Sequence, residues 1–169
     1  MKIGFISDTH GSLFYTKKAL EKLGPCDLII HLGDVLYHGP RNPVHETYEP
    51  AALAEFLKDK QIEYIRGNCD SDVDSMVTAK DIYQKQRIFD LKGLRIFAIH
   101  GYEEDLEERI RLAKDHKADI LAFGHSHIKL CEKLDDLLVI NPGSTTLPKD
   151  GSRSVGLYED GDFSFIYLD

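Results

Sequence analysis

The chain has 169 residues, a net charge of −8 at pH 7 and three cysteines without CxxC spacing, which fits one domain over residues 1–169 and argues against a disulfide framework or a structural zinc site. Without a basic stretch to offset the negative charge, we expect no extended nucleic-acid surface. No apolar run reaches the ~18 residues of a membrane span and no signal-peptide pattern precedes the first strand, so we expect a cytoplasmic protein that does not enter membranes.

The first half of the chain alternates short apolar runs with amphipathic segments. The apolar runs predict strands over 2–7, 27–32 and 62–66. Helices are predicted between them, one from an N-cap at Ser12 to about Leu23 and one over about 50–60. Such a β-α-β-α-β series predicts right-handed crossovers and a largely parallel sheet.

The second half contains more strand signals than helix signals. Strands over 87–91 and 94–99 flank Lys92-Gly93, which is typical of a hairpin turn, and a helix over about 103–116 leads to a buried strand over 119–123. Four further runs predict an antiparallel second sheet: 128–134, 137–140, 155–159 and 163–168. We therefore predict two sheets packed face to face with helices outside.

Polar residues that can bind a divalent cation follow five of these strands. They are Asp8-Thr9-His10, Gly33-Asp34, Gly67-Asn68-Cys69-Asp70, His100-Gly101 and Gly124-His125-Ser126-His127. In an extended backbone Asp8 and His10 share one face, and Gly124 allows a sharp turn before the His pair. Taken singly, each residue has a plainer role as a cap, a turn residue or a lone polar side chain. Taken together at neighbouring strand ends, they favour a metal site in one crevice.

These motifs resemble those of the metallophosphoesterases of the calcineurin-like superfamily. The resemblance extends to the small bacterial YfcE-type phosphodiesterases through four blocks of sequence, 33–36, 38–43, 67–70 and 141–144. It implies an α/β fold, a metallophosphoesterase-like α/β/β/α sandwich of two facing mixed sheets with flanking helices. It also implies hydrolysis of a small phosphodiester by two divalent ions and a hydroxide that they generate.

The resemblance assigns the metal ligands residue by residue. Asp8, His10 and His127 would hold one ion, Asn68, His100 and His125 the other, and Asp34 would bridge them. All seven positions are filled. Manganese is the expected metal, while zinc, iron and nickel are also compatible with these imidazole, carboxylate and amide ligands. The resemblance does not determine the oligomeric state, and a homo-oligomer stays open.

One position departs from the wider superfamily, in which a histidine often follows the Gly-Asn pair. Cys69 stands there, beside Asn68 and Asp70. Because a thiol is a weak donor, we expect a need for good leaving groups, unless Cys69 is only a packed residue. Asp70 either orients a ligand or caps the turn. In the polar segment 37–50, His38 and Arg41 either form a rim that contacts substrate phosphate or belong to a surface or subunit contact.

A buried histidine and a proline-glycine segment are the last candidates near the site. We expect His31, inside an apolar run, to be a hydrogen-bonded core residue, and Asn141-Pro142-Gly143-Ser144 to form a wall of the site or a plain turn. The alternative function is a metal-binding but catalytically weak protein-interaction scaffold, because a eukaryotic retromer subunit resembles this fold. The complete ligand set favours the enzyme.

Overall fold

A computed structural model describes all residues from 1 to 169 and contains ten strands and four helices. The strands are β1 (Lys2–Ile6), β2 (Leu28–His31), β3 (Glu63–Tyr64), β4 (Gln86–Leu91), β5 (Leu94–Ile99), β6 (Ile120–Phe123), β7 (Leu130–Leu134), β8 (Leu137–Asn141), β9 (Ser154–Glu159) and β10 (Asp162–Tyr167). The helices are α1 (Leu13–Leu23), α2 (Pro50–Leu57), α3 (Asp72–Thr78) and α4 (Leu106–Asp115). None of the helices combines the length and apolar composition that a membrane crossing requires.

The strands form two five-stranded mixed sheets. The first has the order β10-β9-β1-β2-β3, with β1, β2 and β3 parallel and β9 antiparallel to β1. The second has the order β4-β5-β6-β8-β7, with β5, β6 and β8 parallel. As a result, the carboxyl ends of the parallel strands lie at one edge of each sheet, where open α/β folds place their sites.

The two sheets pack face to face around a central core. Ile3 and Ile30 from the first sheet meet Ile96 and Ala122 from the second in one fully buried cluster. Separate apolar clusters join α1 and α2 to the outer face of the first sheet, and α4 to the outer face of the second. Burial of apolar surface on both faces of each sheet stabilises the sandwich. The predicted α/β/β/α architecture of two facing mixed sheets is therefore confirmed.

The predicted antiparallel sheet of the last four strands is wrong. The β7–β8 hairpin joins the second sheet, where β8 runs parallel to β6, whereas the β9–β10 hairpin joins the first sheet beside β1. Strand signals in a sequence mark extended segments but do not identify their partners. Since β2 occupies only one edge of β1, the other edge is left for β9 to cover.

The structure also contains a helix that the sequence pattern did not reveal. Helix α3 begins at a capping box formed by Ser71 and Asp74, and ends where Ala79 adopts a left-handed conformation with φ 55°. Its buried residues are polar: Asp74, Ser75 and Thr78. Because the helix turns no apolar face to the core, it lacks the periodicity by which helices are recognised.

Candidate metal centre

The carboxyl ends of the strands bring six of the seven expected ligands together in two groups. Within each group, the possible ligand atoms all lie within 4.8 Å of one another; the groups are Asp8, His10 and His127, and Asp34, His100 and His125. The Asp34 Oδ2 atom lies 3.8 Å from His10 Nε2 and 3.4 Å from His100 Nε2. Asp34 therefore stands between the two groups, where a single carboxylate oxygen faces both.

Left-handed backbone conformations aim these side chains. Positive φ angles occur at five of the six residues of the two groups, namely Asp8 (54°), His10 (42°), Asp34 (59°), His125 (64°) and His127 (59°). Non-glycine residues rarely adopt this conformation, and such strain concentrates at functional sites. The expectation that an extended backbone would align Asp8 and His10 is wrong: the two side chains meet because the chain turns at both residues.

Two glycines leave room for the ligands. A Cβ atom on Gly124 would overlap Ser7 Oγ, and one on Gly67 would overlap the carboxylate of Asp34. Gly124 itself has no positive φ, so the turn expected at this glycine is instead made by His125 and His127. Gly124 permits a close approach of backbone to ligand, which is the other common use of glycine.

Backbone carbonyl groups orient three of the four histidines. His10 Nδ1 donates to Tyr37 O at 2.8 Å, His100 Nδ1 to Leu32 O at 2.6 Å, and His127 Nδ1 to Leu147 O at 2.5 Å. Because a carbonyl oxygen only accepts, each Nδ1 carries the proton. Each Nε2 lone pair then points into the cluster, which is the usual arrangement of a histidine that binds a metal.

The cluster gathers acceptors without matching donors. Asp8 Oδ1 and His100 Nε2 are buried and have no hydrogen-bond partner. His10 Nε2 lies 3.2 Å from His127 Nε2, which in turn lies 3.2 Å from Asp8 Oδ1. Buried polar atoms normally have partners, and lone pairs that face one another require a cation between them. The residues present therefore fit divalent metal ions.

The pKa shifts in the cluster also show that its electrostatics favour positive charge. Burial lowers the pKa of His100, but the Asp34 carboxylate 3.4 Å from Nε2 and the charge of Asp8 outweigh burial and raise it to about 9. Burial raises the pKa of Asp8, but the imidazole of His127 at 3.2 Å and the imidazoles of His100 and His10 lower it overall. Protons and metal ions thus compete for the same positions.

Asp70 anchors the loop that carries Asp34. Its Oδ2 accepts from the Asp34 and Gly67 N–H groups at 2.8 and 2.7 Å, and its Oδ1 accepts from Val35 N–H at 2.7 Å. Burial and the nearby Asp34 raise the pKa of this carboxyl to about 6. Of the two roles open from sequence, orienting a ligand is the one these contacts support.

Asn68 and Cys69 lie at the entrance of the cluster. Asn68 is exposed and donates from Nδ2 to Cys69 Sγ at 3.4 Å. The Cys69 N–H donates to Asp34 Oδ1 at 2.8 Å, which leaves Asp34 Oδ2 free to face both groups. Burial, followed by the charge of Asp34, raises the pKa of the Cys69 thiol to about 12, so the sulfur stays protonated at neutral pH.

A cleft of about 720 Å³ opens above the ligands. Arg41 lines it, together with Asn68 and Cys69, whereas His38 does not. His38 instead faces Asn42 O at 3.3 Å through Nδ1. Lys149 also lines the cleft, and its N–H donates to His127 O at 3.0 Å. No sequence signal pointed to Lys149, because it lies outside every motif, in the loop after Asn141-Pro142-Gly143-Ser144.

The segment Asn141-Pro142-Gly143-Ser144 connects two of the ligand-bearing loops. Asn141 Nδ2 donates to Gly124 O at 2.8 Å, and Ser144 Oγ donates to Asp8 O at 2.9 Å. Thr146 Oγ1 donates to Thr9 O at 2.8 Å. The segment is a turn, closed by a hydrogen bond from Gly143 N–H to Asn141 Oδ1, and with Thr146 it also holds the backbone at Asp8, Thr9 and Gly124, next to the ligands.

His31 shows how a histidine behaves when it does not serve as a ligand. Its Nδ1 accepts from Gly33 N–H at 3.1 Å, and its Nε2 bonds to Thr9 Oγ1 at 2.9 Å. The ring stacks on Tyr64, and burial lowers its pKa to about 3. Both nitrogens have partners, so the expectation of a hydrogen-bonded core histidine is confirmed.

An α/β/β/α sandwich with clustered histidines and aspartates at its strand ends is typical of metal-binding phosphoesterases. The family profile of the calcineurin-like phosphoesterase superfamily domain matches residues 1–160. The chain belongs to this superfamily. Membership implies binding of divalent metal, in agreement with the two groups of ligands at the strand ends.

Within the superfamily, the chain is similar to individual known proteins. It is 37% identical over 173 aligned positions to phosphodiesterase YfcE of Escherichia coli K12, covering 99% of this chain and 92% of YfcE. The solved structure of E. coli YfcE covers 100% of this chain and 94% of its own, with a TM-score of 0.88 and 34% identity.

Other similarities are more distant. Phosphodiesterase MJ0936 of Methanocaldococcus jannaschii is 28% identical, with 94% of this chain and 93% of MJ0936 covered. The structure of Entamoeba histolytica Vps29 complexed with Zn²⁺ has a TM-score of 0.66, 17% identity and complete coverage of both chains. At that identity, the likeness to Vps29 shows a shared fold only.

Proposed function

We propose that this chain is a metal-dependent phosphodiesterase that hydrolyses small phosphodiesters with two divalent ions. The observation that carries the proposal is the pair of ligand groups with Asp34 between them, in which buried acceptors face one another without donors. The YfcE relative, a phosphodiesterase that nearly the whole chain matches, supports the same reaction. We further propose that residues 1–169 act as one domain.

The proposed metal positions follow from the two groups. Asp8, His10 and His127 would hold one ion, His100 and His125 the other with the amide oxygen of Asn68, and Asp34 would contact both. Manganese is the proposed metal, with zinc, iron and nickel also compatible with these ligands. When bound, two such ions lower the pKa of a shared water and stabilise negative charge on the phosphoryl oxygens.

The remaining residues of the site act by binding and orientation. Arg41 and Lys149 line the cleft and form no ion pair in the structure, so both are available to an anionic substrate. Cys69 offers a thiol, which is a weak hydrogen-bond donor to a leaving alkoxide. We therefore propose a preference for diesters with good leaving groups, such as nitrophenyl esters.

The alternative function, a catalytically weak interaction scaffold, has less support. The close grouping of Asp8, His10, Asp34, His100, His125 and His127 supports the enzyme, and the likeness to Vps29 extends only to the fold. The cytoplasmic location and a homo-oligomeric state stay predictions. The free state of Cys26, Cys69 and Cys131 is consistent with that location.

The Asp34→Asn variant tests the proposal. The protein is stripped of metal with a chelator, reloaded with Mn²⁺, and assayed for release of nitrophenol from bis(p-nitrophenyl) phosphate. We expect metal-stimulated hydrolysis by the wild type and a loss of at least about 100-fold in the variant, because an amide does not replace a bridging carboxylate. The matched control is Asp136→Asn, an exposed aspartate far from the cluster, which should keep full activity. Full activity of Asp34→Asn would overturn the assignment.

A further inference from the structure

Helix α3 presents its apolar side chains to solvent. Val73 is 59% exposed, Met76 is 75% exposed and Val77 is 41% exposed. Spaced at i, i+3 and i+4, the three residues share one face of the helix. Scattered exposed apolar residues are normal on a protein surface, but a continuous apolar face is typical of a binding site.

Polar residues hold the opposite face of α3 in place. Asp74 Oδ2 accepts from Ser71 N–H at 3.0 Å, Ser75 Oγ accepts from Ile82 N–H at 3.1 Å, and Thr78 Oγ1 donates to Asp74 O at 2.6 Å. The first and third of these bonds stabilise the helix itself, and the Ser75 bond ties it to the segment after α3. The buried side of the helix is thus polar, and its apolar residues are left on the outer face.

The outer face of α3 forms one wall of a concave groove. The opposite walls come from α2, through Ala51 and Ala54, and from the loop after β2, through Leu36 and Tyr37. The groove has a volume of about 510 Å³ and a mostly apolar lining. This size lies within the range of small-molecule sites, roughly 300–1,000 Å³.

The groove adjoins the metal cleft. Tyr37, 41% exposed, lines both. At the amino end of α3, Ser71 lines the cleft while Val73, two residues later, lines the groove. The two cavities therefore lie side by side at Tyr37, with Arg41 and Lys149 on the side of the cleft.

We propose that the substrates of this site are phosphodiesters with one apolar arm, and that the arm lies in the groove between α2 and α3. This inference rests on the proposed function. In the reaction, a water oxygen bonds to phosphorus and the bond from phosphorus to the leaving alcohol oxygen breaks. The products are the free alcohol and a phosphomonoester that keeps the apolar arm. The position of the groove beside the metal cleft favours an arm of a bound substrate over a second copy of the chain as its occupant.

Two chromogenic diesters test the proposal kinetically, p-nitrophenyl methyl phosphate and p-nitrophenyl hexyl phosphate, with the Mn²⁺-loaded protein. We expect kcat/KM to be about tenfold higher for the hexyl ester, since burial of each methylene favours binding. The double variant Val73→Thr/Met76→Gln, which nearly keeps side-chain shape, should reduce the hexyl-to-methyl ratio to about threefold or less. The control variant Ile88→Thr, which changes an exposed residue on β4 outside the groove, should keep the ratio.

Methionine NMR gives a readout that does not depend on turnover. The chain has two methionines, Met1 and Met76. With ¹³C-methyl methionine in the Zn²⁺-loaded protein, hexyl phosphate should shift the Met76 resonance, while methyl phosphate should not. The Met1 resonance serves as the internal control, because Met1 lies outside both the groove and the cleft.

The outcomes separate this inference from the function on which it rests. If neither diester is hydrolysed with metal, the proposed function fails and the inference fails with it. If both diesters are hydrolysed at similar rates, or if the double variant keeps the wild-type ratio, only the proposal that the apolar arm lies in the groove is overturned. If the double variant changes the oligomeric state in light scattering but not the ratio, the groove belongs to a second copy of the chain and the inference is again overturned.

Discussion

The two ends of the sandwich use the same rare backbone conformation for different reasons. At the amino end of the parallel strands, Lys92 (φ 51°) and Asp160 (φ 52°) lie in exposed two-residue hairpin turns, and each is followed by a glycine. At the carboxyl end, Asp8, Asp34 and His127 adopt similar angles while buried, and among the ligands with positive φ only His10 is followed by a glycine. At the amino end the turn geometry explains the positive angles, because it matches the twist of the strands.

At the carboxyl end, local turn geometry does not explain the positive φ angles. Hydrogen bonds from other segments hold those conformations: Asp70 fixes the Asp34 loop, and Ser144 fixes the backbone of Asp8. The conformations persist because the surrounding structure determines them, and they gather acceptors that lack donors. The carboxyl end is therefore organised to place ligands, whereas the amino end is organised to reverse the chain.

The largest effect should come from adding a methyl group to a glycine at the carboxyl end, compared with the same substitution at the amino end. Gly124→Ala places a Cβ against Ser7 Oγ and beside Asp8, so we expect displacement of Asp8 and a loss of metal-stimulated activity of roughly 100-fold. In the matched variant Gly93→Ala, the Cβ meets nothing within 4 Å and only the φ of 89° is strained. That variant should lose about 1 kcal/mol of unfolding free energy and no activity.

Steady-state assays and urea unfolding of both variants give the comparison. Equal losses of activity in Gly124→Ala and Gly93→Ala would contradict the distinction between the two ends.

A smaller effect is expected from the residue that supports Asp34. Asp70→Asn replaces an oxygen that accepts from backbone N–H by an NH₂ group that faces another donor. We expect metal affinity to fall by about 10–100-fold, as measured by titration calorimetry. The neighbouring variant Asp72→Asn, in which an exposed carboxylate paired with Arg66 is changed, should leave affinity as it is. An unchanged affinity in Asp70→Asn would show that the Asp34 loop keeps its shape without this anchor.

The smallest effect concerns His31, the satisfied histidine behind the site. Its pKa is about 3 in the folded protein, below the ordinary value of 6.5, so the unfolded chain binds the extra proton between these pH values. The stability that His31 contributes is therefore present above pH 6.5 and is lost as pH falls toward 3. The contribution to the slope is at most about 1.4 kcal/mol per pH unit.

Urea unfolding between pH 6.5 and 4.5, in the presence of chelator so that metal release does not contribute, measures this slope. His31→Gln should show a shallower slope than the wild type. A slope that the substitution leaves unchanged would contradict the assignment of a buried neutral imidazole.

The sequence predicted local features better than long-range ones. The helix cap at Ser12 and the hairpin at Lys92-Gly93 were predicted correctly, because each depends on neighbouring residues. The partner of β9 was not predicted, since pairing with β1 is decided by which sheet edge is free. Helix α3 was missed because it reverses the usual pattern, with polar residues buried and apolar residues exposed.

In the site, too, local features were predicted better than long-range contacts. Residue types and strand-end positions were enough to predict which side chains gather, and the structure brings those of the two ligand groups together. The reason given for Asp8 and His10 was wrong, because tertiary hydrogen bonds impose left-handed angles that local sequence does not encode. Lys149 was not found, because only the folded chain carries it to the cleft.

Anomalous diffraction from crystals grown with Mn²⁺ tests the central claim most directly, because it locates the ions independently of any activity. Two peaks about 3.5–4 Å apart are expected. One should lie among Asp8, His10 and His127, the other among Asn68, His100 and His125, with Asp34 touching both. A single peak, or two peaks outside this cluster, would contradict the account.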